Sequence, residues 1–152
     1  MTFRSRQFSY QNRVVAWSLG LALALCLAIF AATGAWAETP VICLITIVVL
    51  FALLLIPLTI TVDAEWVHVN LGGVLKRDVL LSDVKEIEKR TYRPIREFGG
   101  WGWRYGFKRR AVAYTMLGTS AVVLTMRDGT EVYLGVDDEQ ALVDAVRPRL
   151  AV

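Results

Sequence analysis

The sequence predicts an α+β membrane protein: an N-terminal transmembrane helical hairpin followed by a small antiparallel β-barrel or sandwich that a C-terminal helix caps. Three observations predict it. Between Val14 and Val62 the only charged side chain is Glu38. From Asp63 onward charges recur every few residues, within short alternating runs separated by turn residues. Hydrophobic residues make up 55% of the chain, above the roughly 45–50% usual for soluble domains.

Val14 to Ala37 is 24 uncharged residues. As a helix it would be about 36 Å long, against a hydrocarbon core of about 30 Å. Val41 to Val62 is a second uncharged stretch of 22 residues, with Pro57 inside it. Trp17 and Trp36 stand near the ends of the first stretch, where amphipathic rings favour the headgroup level. A soluble core is the alternative, but the remaining residues are too few to cover two such helices. "AWA" at Ala35–Ala37 resembles a signal-peptidase site. The long apolar run before it and the second run after it argue against cleavage.

Arg4, Arg6 and Arg13 precede the first stretch, the connector "ETP" has no basic residue, and the other 14 of the 17 basic residues follow the second stretch. The positive-inside rule then places both termini in the cytoplasm. The expected organisation is a basic cytoplasmic arm (1–13), a two-helix transmembrane hairpin (14–62) and a cytoplasmic domain (63–152). Gly20, Ala24 and Ala28 form a small-residue stripe suited to close helix packing, against the second helix or another copy. Neither apolar run carries an interior ionisable carboxylate, base or histidine, which argues against a transporter or channel. Cys26 and Cys43 fall at depths too different for a disulfide and match no metal spacing.

Beyond Leu58 the pattern becomes strand-like. "LTITV" leads into "WVHVNL", and Gly72-Gly73 signals a hairpin. A turn at Ser82-Asp83 introduces a charged strand from about Lys85 to Tyr92. "AVAYTM", "SAVVLTM" and "TEVYLG" follow, with turns at Gly118-Thr119 and Asp128-Gly129. The last element reads as a helix capped by Asp137, with Gln140 completing a capping box. Leu142, Ala145, Val146 and Leu150 form its apolar side and Val143 its more exposed one.

These elements, carried by "ITVDAEWVHVNLGG", "LLSDVKEIE", "VVLTMRDGTEVYLG" and "DDEQALVDAV", resemble a bacterial pleckstrin-homology-like (PH-like) domain. With two membrane helices ahead of it, the chain resembles a group of small bacterial membrane proteins. The resemblance implies two packed antiparallel sheets with the final helix across one end, placement at the bacterial inner membrane as a multi-pass protein, and no enzyme activity. The first turn, Ala64-Glu65, is short and acidic, which departs from the basic first hairpin of lipid-binding members.

Residues for chemistry are sparse. His68 is the only histidine and falls on the strand face opposite Val67 and Val69. Ser120 lies in "GTSAV", which lacks the second glycine of a nucleophile elbow. Asp137, Asp138 and Glu139 fit helix capping better than metal binding. The expectation is a non-enzymatic protein with no cofactor and no metal. What stands out is "GGWGWRYGFKRR", Gly99 to Arg110, with Trp101, Trp103, Tyr105 and Phe107 at every second position. From Arg93 to Arg110 there are six basic residues against the single acid Glu97. The rings are expected to pack on their own domain, because burying each is worth roughly 1.5–3 kcal/mol. Trp101, Trp103, Arg104, Lys108, Arg109 and Arg110 are the candidate lipid- or partner-binding residues. The expected partners are the lipid bilayer, a protein or further copies of the chain, and anionic lipid headgroups. Nucleic acid is not expected, since the basic footprint is local. The function that follows is a membrane-anchored scaffold or binding module, with a peripheral anionic-lipid module as the alternative.

Overall fold

The computed structural model describes residues 3–107 and 110–150. It divides into two compact units, Phe8–Ile56 and the chain on both sides of that segment.

The larger unit is α+β. Strands β1 (Phe3–Phe8), β2 (Pro57–Val62), β3 (Trp66–Leu71) and β4 (Leu75–Leu80) form one sheet in that order. β2 and β3 are antiparallel, with Ile60 opposite Val69. Alternation buries Leu58, Ile60, Val62, Val67 and Val69 on one face. The β3–β4 connection uses the two glycines as expected: Gly72 and Gly73 have φ of 63° and 77°, and Asn70 Oδ1 accepts from Gly73 N–H at 2.9 Å.

The second sheet contains β5 (Val84–Thr91), β6 (Gly102–Tyr105), β7 (Ala111–Thr115), β8 (Ser120–Met126) and β9 (Glu131–Leu134), in the order β5-β8-β9-β7-β6. β9 lies between β8 and β7, antiparallel to the first and parallel to the second. This corrects the all-antiparallel barrel or sandwich expected from sequence. Alternation reports which residues share a face, not the direction of the neighbouring strand. β7, β8 and β9 are buried on both faces, consistent with their nearly continuous apolar runs.

Helix α4 (Glu139–Val146, numbered after the three helices of the apolar unit below) lies against β5 and β8. Its N-cap is Asp138, whose Oδ1 accepts from Ala141 N–H at 2.9 Å. Asp137, the expected cap, instead accepts from Gln7 Nε2 at 2.7 Å. The buried face is also wider than expected: Val143 is only 2% exposed and is buried with Leu142 and Val146.

The smaller unit is apolar. Asn12 caps helix α1 (Arg13–Thr33) by accepting from Val14 and Val15 N–H. A single turn α2 (Ala35–Glu38) and helix α3 (Pro40–Leu54) follow. Among the described residues, only α1 is long and apolar enough to cross a membrane. α3 has 15 residues, about 22 Å, short of a hydrocarbon core of about 30 Å. The expected two-span hairpin is therefore corrected. The uncharged run to Val62 joined a helix ending at Leu54 to strand β2, and hydropathy alone does not separate them. The resemblance to two-span PH-like proteins falls with it, as do the multi-pass inner-membrane placement and the cytoplasmic position of both termini. Residues 3–8, expected to belong to a basic arm, form β1 instead. Cys26 and Cys43 are free thiols, Cys43 fully buried.

Candidate functional site

The segment between β5 and β7 is built on a knot of three rings. Tyr92 and Phe98 are buried with Tyr133 of β9, with ring centroids 4.9–5.7 Å apart. Ala111, Ala113 and Ala121 complete the cluster with Val123, and their small side chains leave room for the rings. Pro94–Phe98 forms a single π-helical turn over this knot. It ends at Gly99, whose φ of 75° suits a residue without Cβ, and Gly100 N–H closes back on the Pro94 carbonyl at 3.0 Å. Phe107 N–H donates to the Glu97 carbonyl at 3.0 Å and Gly106 N–H to the Ala111 carbonyl at 2.8 Å. Those two bonds fold the segment's far end back onto its start.

A polar network borders the knot. Arg90 donates to Glu131 at 2.8 Å, to the Tyr133 hydroxyl at 2.9 Å, and to Glu88. Burial alone would lower the Arg90 pKa, but these bonds outweigh it and hold the guanidinium firmly charged. The Tyr133 phenol is raised above its ordinary value, chiefly by burial. The hydroxyls of Tyr92 and Thr115 are buried near each other without a well-formed hydrogen bond, and burial pushes Tyr92 up to about 12 against the lowering effect of Thr115.

The outward face is unlike the sequence expectation. Trp101 alone is tied down, its Nε1 donating to the Gly118 carbonyl at 2.9 Å. Trp103, Tyr105 and Phe107 are 38%, 63% and 70% exposed, and Ile95 is 64% exposed. Trp103 and Tyr105 pack edge to face at 5.2 Å. They project from β6, an edge strand of the second sheet, where they are opposite Tyr114 and Val112 of β7. The rings stay outside because the interior beneath this segment is already filled by Tyr92, Phe98 and Tyr133. Arg104 is exposed, with Nε donating to the Trp101 carbonyl at 3.3 Å, and Arg110 is exposed at the start of β7. Lys108 and Arg109 lie outside the described residues.

A cleft of about 290 Å³ opens beside this segment, lined by Arg93, Arg96, Glu97, Phe98, Gly106 and Tyr133. Sequence reading passed over Arg93, Arg96 and the ring knot. The one available signal was the basic run beginning at Arg93 ahead of the aromatic repeat.

The other candidates lie elsewhere. Gly20, Ala24 and Ala28 are on the exposed side of α1, and a Cβ on Gly20 would meet nothing within 4 Å. The half-buried side of α1 carries Val15, Leu19, Ala22 and Cys26. His68 sits on the surface of β3 between two carboxylates, Nδ1 2.6 Å from Asp78 and Nε2 3.1 Å from Asp63. Among the described residues no group of three or more His, Cys, Asp or Glu could hold a metal ion. Comparison with family models, with curated proteins and with solved structures gives no match.

Proposed function

We propose that this protein is a membrane-associated, non-catalytic binding module, with α1 as its lipid-embedded helix and the aromatic–basic segment 99–110 as its contact with an anionic lipid surface. The observation that carries this reading is the solvent exposure of Trp103, Tyr105 and Phe107 on a segment rich in arginine and lysine. Leaving Trp103 partly and Tyr105 and Phe107 largely exposed forgoes a few kcal/mol of burial, given roughly 1.5–3 kcal/mol for each ring fully buried, unless another phase takes them up. Aromatic rings favour the headgroup level of a bilayer, and basic side chains beside them are drawn to anionic lipid. The non-catalytic part is supported by the placement of the two side chains best suited to chemistry. His68 is held between Asp63 and Asp78, and the Ser120 hydroxyl bonds Glu139 in the first turn of α4.

A second reading, docking of a protein or a further copy, is favoured by β6 lying at a sheet edge, where another strand could add. The test places the full chain in nanodiscs, with tryptophans 17, 36, 66 and 101 replaced by Phe so that Trp103 alone reports. Brominated phosphatidylglycerol should quench Trp103, and brominated phosphatidylcholine should do so much less. Absence of quenching in both discs, with disulfide-linked dimers from a Tyr105→Cys variant, would overturn the lipid reading in favour of strand addition.

A further inference from the structure

The cleft beside the aromatic segment has chemistry that a flat lipid contact does not use. Phe98 and Tyr133, both almost wholly buried, reach its lining only at their edges, and Arg93 and Arg96 stand among its lining residues. Both arginines are exposed. Glu97 is the one acid in this lining, and its Oε1 is held by the Arg93 backbone N–H at 2.8 Å. The contrast with Arg90 is direct. Arg90 is neutralised by Glu88 and Glu131, whereas among the described residues no carboxylate pairs with the guanidinium of Arg93 or Arg96. The cleft thus carries two exposed guanidinium groups beside the single carboxylate of Glu97. Their planar forks match the oxygens of a phosphate.

We propose that this cleft binds the phosphate of an anionic phospholipid, with the glycerol portion toward the exposed apolar side chains that flank it. This rests on the lipid-surface reading of the neighbouring segment and gives it a specific headgroup site. Three observations favour a lipid as the source of the phosphate. The lining is mixed, with Ala111 and the edges of Phe98 and Tyr133 beside the polar groups, so it suits both a phosphate and the carbon skeleton that follows it. Ile95, two residues from Arg93, and Phe107, next to Gly106 of the cleft wall, are both largely exposed. A phosphate site flanked by exposed apolar side chains reproduces the layering of a bilayer interface. A soluble phosphate ester shares the anionic chemistry but would leave those flanking side chains in water.

The test uses the full chain in neutral maltoside micelles, titrated with dihexanoyl phosphatidylglycerol, dihexanoyl phosphatidylcholine or glycerol phosphate. Binding is followed by calorimetry and by the amide resonances of Gly99 and Gly106. Phosphatidylglycerol should bind at least about tenfold more tightly than either comparison compound. Arg93→Gln and Arg96→Gln should each weaken it about tenfold, while Lys76→Gln, an exposed cation on β4, should leave it unchanged. Both arginines are exposed, so the variants should keep the near-UV dichroism of the parent protein. Equal affinity for glycerol phosphate would overturn the lipid source, and unchanged affinity in both arginine variants would overturn the site. The micelle and nanodisc measurements separate the two claims. Trp103 quenching without arginine-dependent binding would remove the headgroup site and keep the lipid contact. Arginine-dependent binding without quenching would do the reverse.

Discussion

Gly135, the residue after β9, leaves no room for a side chain. A Cβ there would lie 2.9 Å from Thr115 Cα, 3.1 Å from Thr115 Cβ and 3.3 Å from Thr115 Cγ2. Carbon atoms rest at about 3.5–4.0 Å, so Gly135→Ala requires the end of β7 to retreat by roughly 0.6–1 Å. The obstacle is backbone, and it is pinned: Gly135 N–H donates to the Tyr114 carbonyl at 2.8 Å, and Thr115 is fully buried. Retreat would therefore strain the parallel β7–β9 ladder. The expected cost is about 2–3 kcal/mol, the upper part of the overpacking range. With a urea m-value of about 1.5 kcal/mol/M, the unfolding midpoint should fall by roughly 1.5 M. The assay is urea unfolding of the full chain in a mild detergent, followed by near-UV dichroism. Gly20→Ala, in open space inside helix α1, serves as the control and should leave the midpoint unchanged or raise it slightly, since a helix interior favours Ala over Gly by up to about 1 kcal/mol. Adding Thr115→Ser removes the Cγ2 contact but not the two shorter ones, so it should recover less than half of the loss. An unchanged midpoint for Gly135→Ala, or full recovery with Thr115→Ser, would refute the close approach of the two strands.

Three further outcomes are expected. Val143→Ala should cost about 1–2 kcal/mol in the same assay, comparable to Val146→Ala, because both side chains lie on the buried face of α4. Tyr92→Phe removes a buried hydroxyl that makes no well-formed hydrogen bond and should be neutral or stabilising by up to about 1 kcal/mol, whereas Tyr133→Phe breaks the bond from Arg90 and should cost about 1–3 kcal/mol. His68 has a raised pKa, mainly from its hydrogen bond with Asp78. Its contribution to stability is therefore fully present below the unfolded value of about 6.5 and is lost as pH rises through the folded value. NMR titration of this sole histidine should show the upward displacement, and Asp78→Asn should largely abolish it.

Signals that act locally were legible in the sequence. Gly72-Gly73 supplied a turn that needs positive φ, Ser82-Asp83 fell in the 3₁₀ turn Leu81–Asp83, and the charged strand after it ended within a residue of its expected limit. The C-terminal helix was legible as an element, and its buried Leu142 and Val146 were legible too, but the burial of Val143 and the identity of the cap were not. Three acidic residues in a row, Asp137 to Glu139, offered adjacent caps, and Gln7 claims the first of them from a distant part of the chain. The parallel β7–β9 pair was not legible, because each strand reads the same in either direction. The apolar half misled through continuity: nothing polar marks the passage from α3 to β2. The aromatic segment misled in the opposite way. Its alternation fits a half-buried strand, but the burial had been taken by Tyr92 and Phe98, which precede it.

The chain leaves β1 at Phe8 and re-enters the same sheet at Pro57, and Ser9 N–H meets the Ile56 carbonyl at 3.2 Å. The whole apolar unit is thus an insertion between two neighbouring strands, with its entry and exit side by side. During synthesis the first strand must wait for nearly fifty further residues before its neighbour emerges. The α+β unit therefore completes itself only after the apolar unit has left the ribosome. The same adjacency makes the insertion removable on paper. A short turn in place of residues 9–56 would span the gap and retain β1, whereas a fragment begun at Asp63 would forfeit both β1 and β2 and bare the edge of β3.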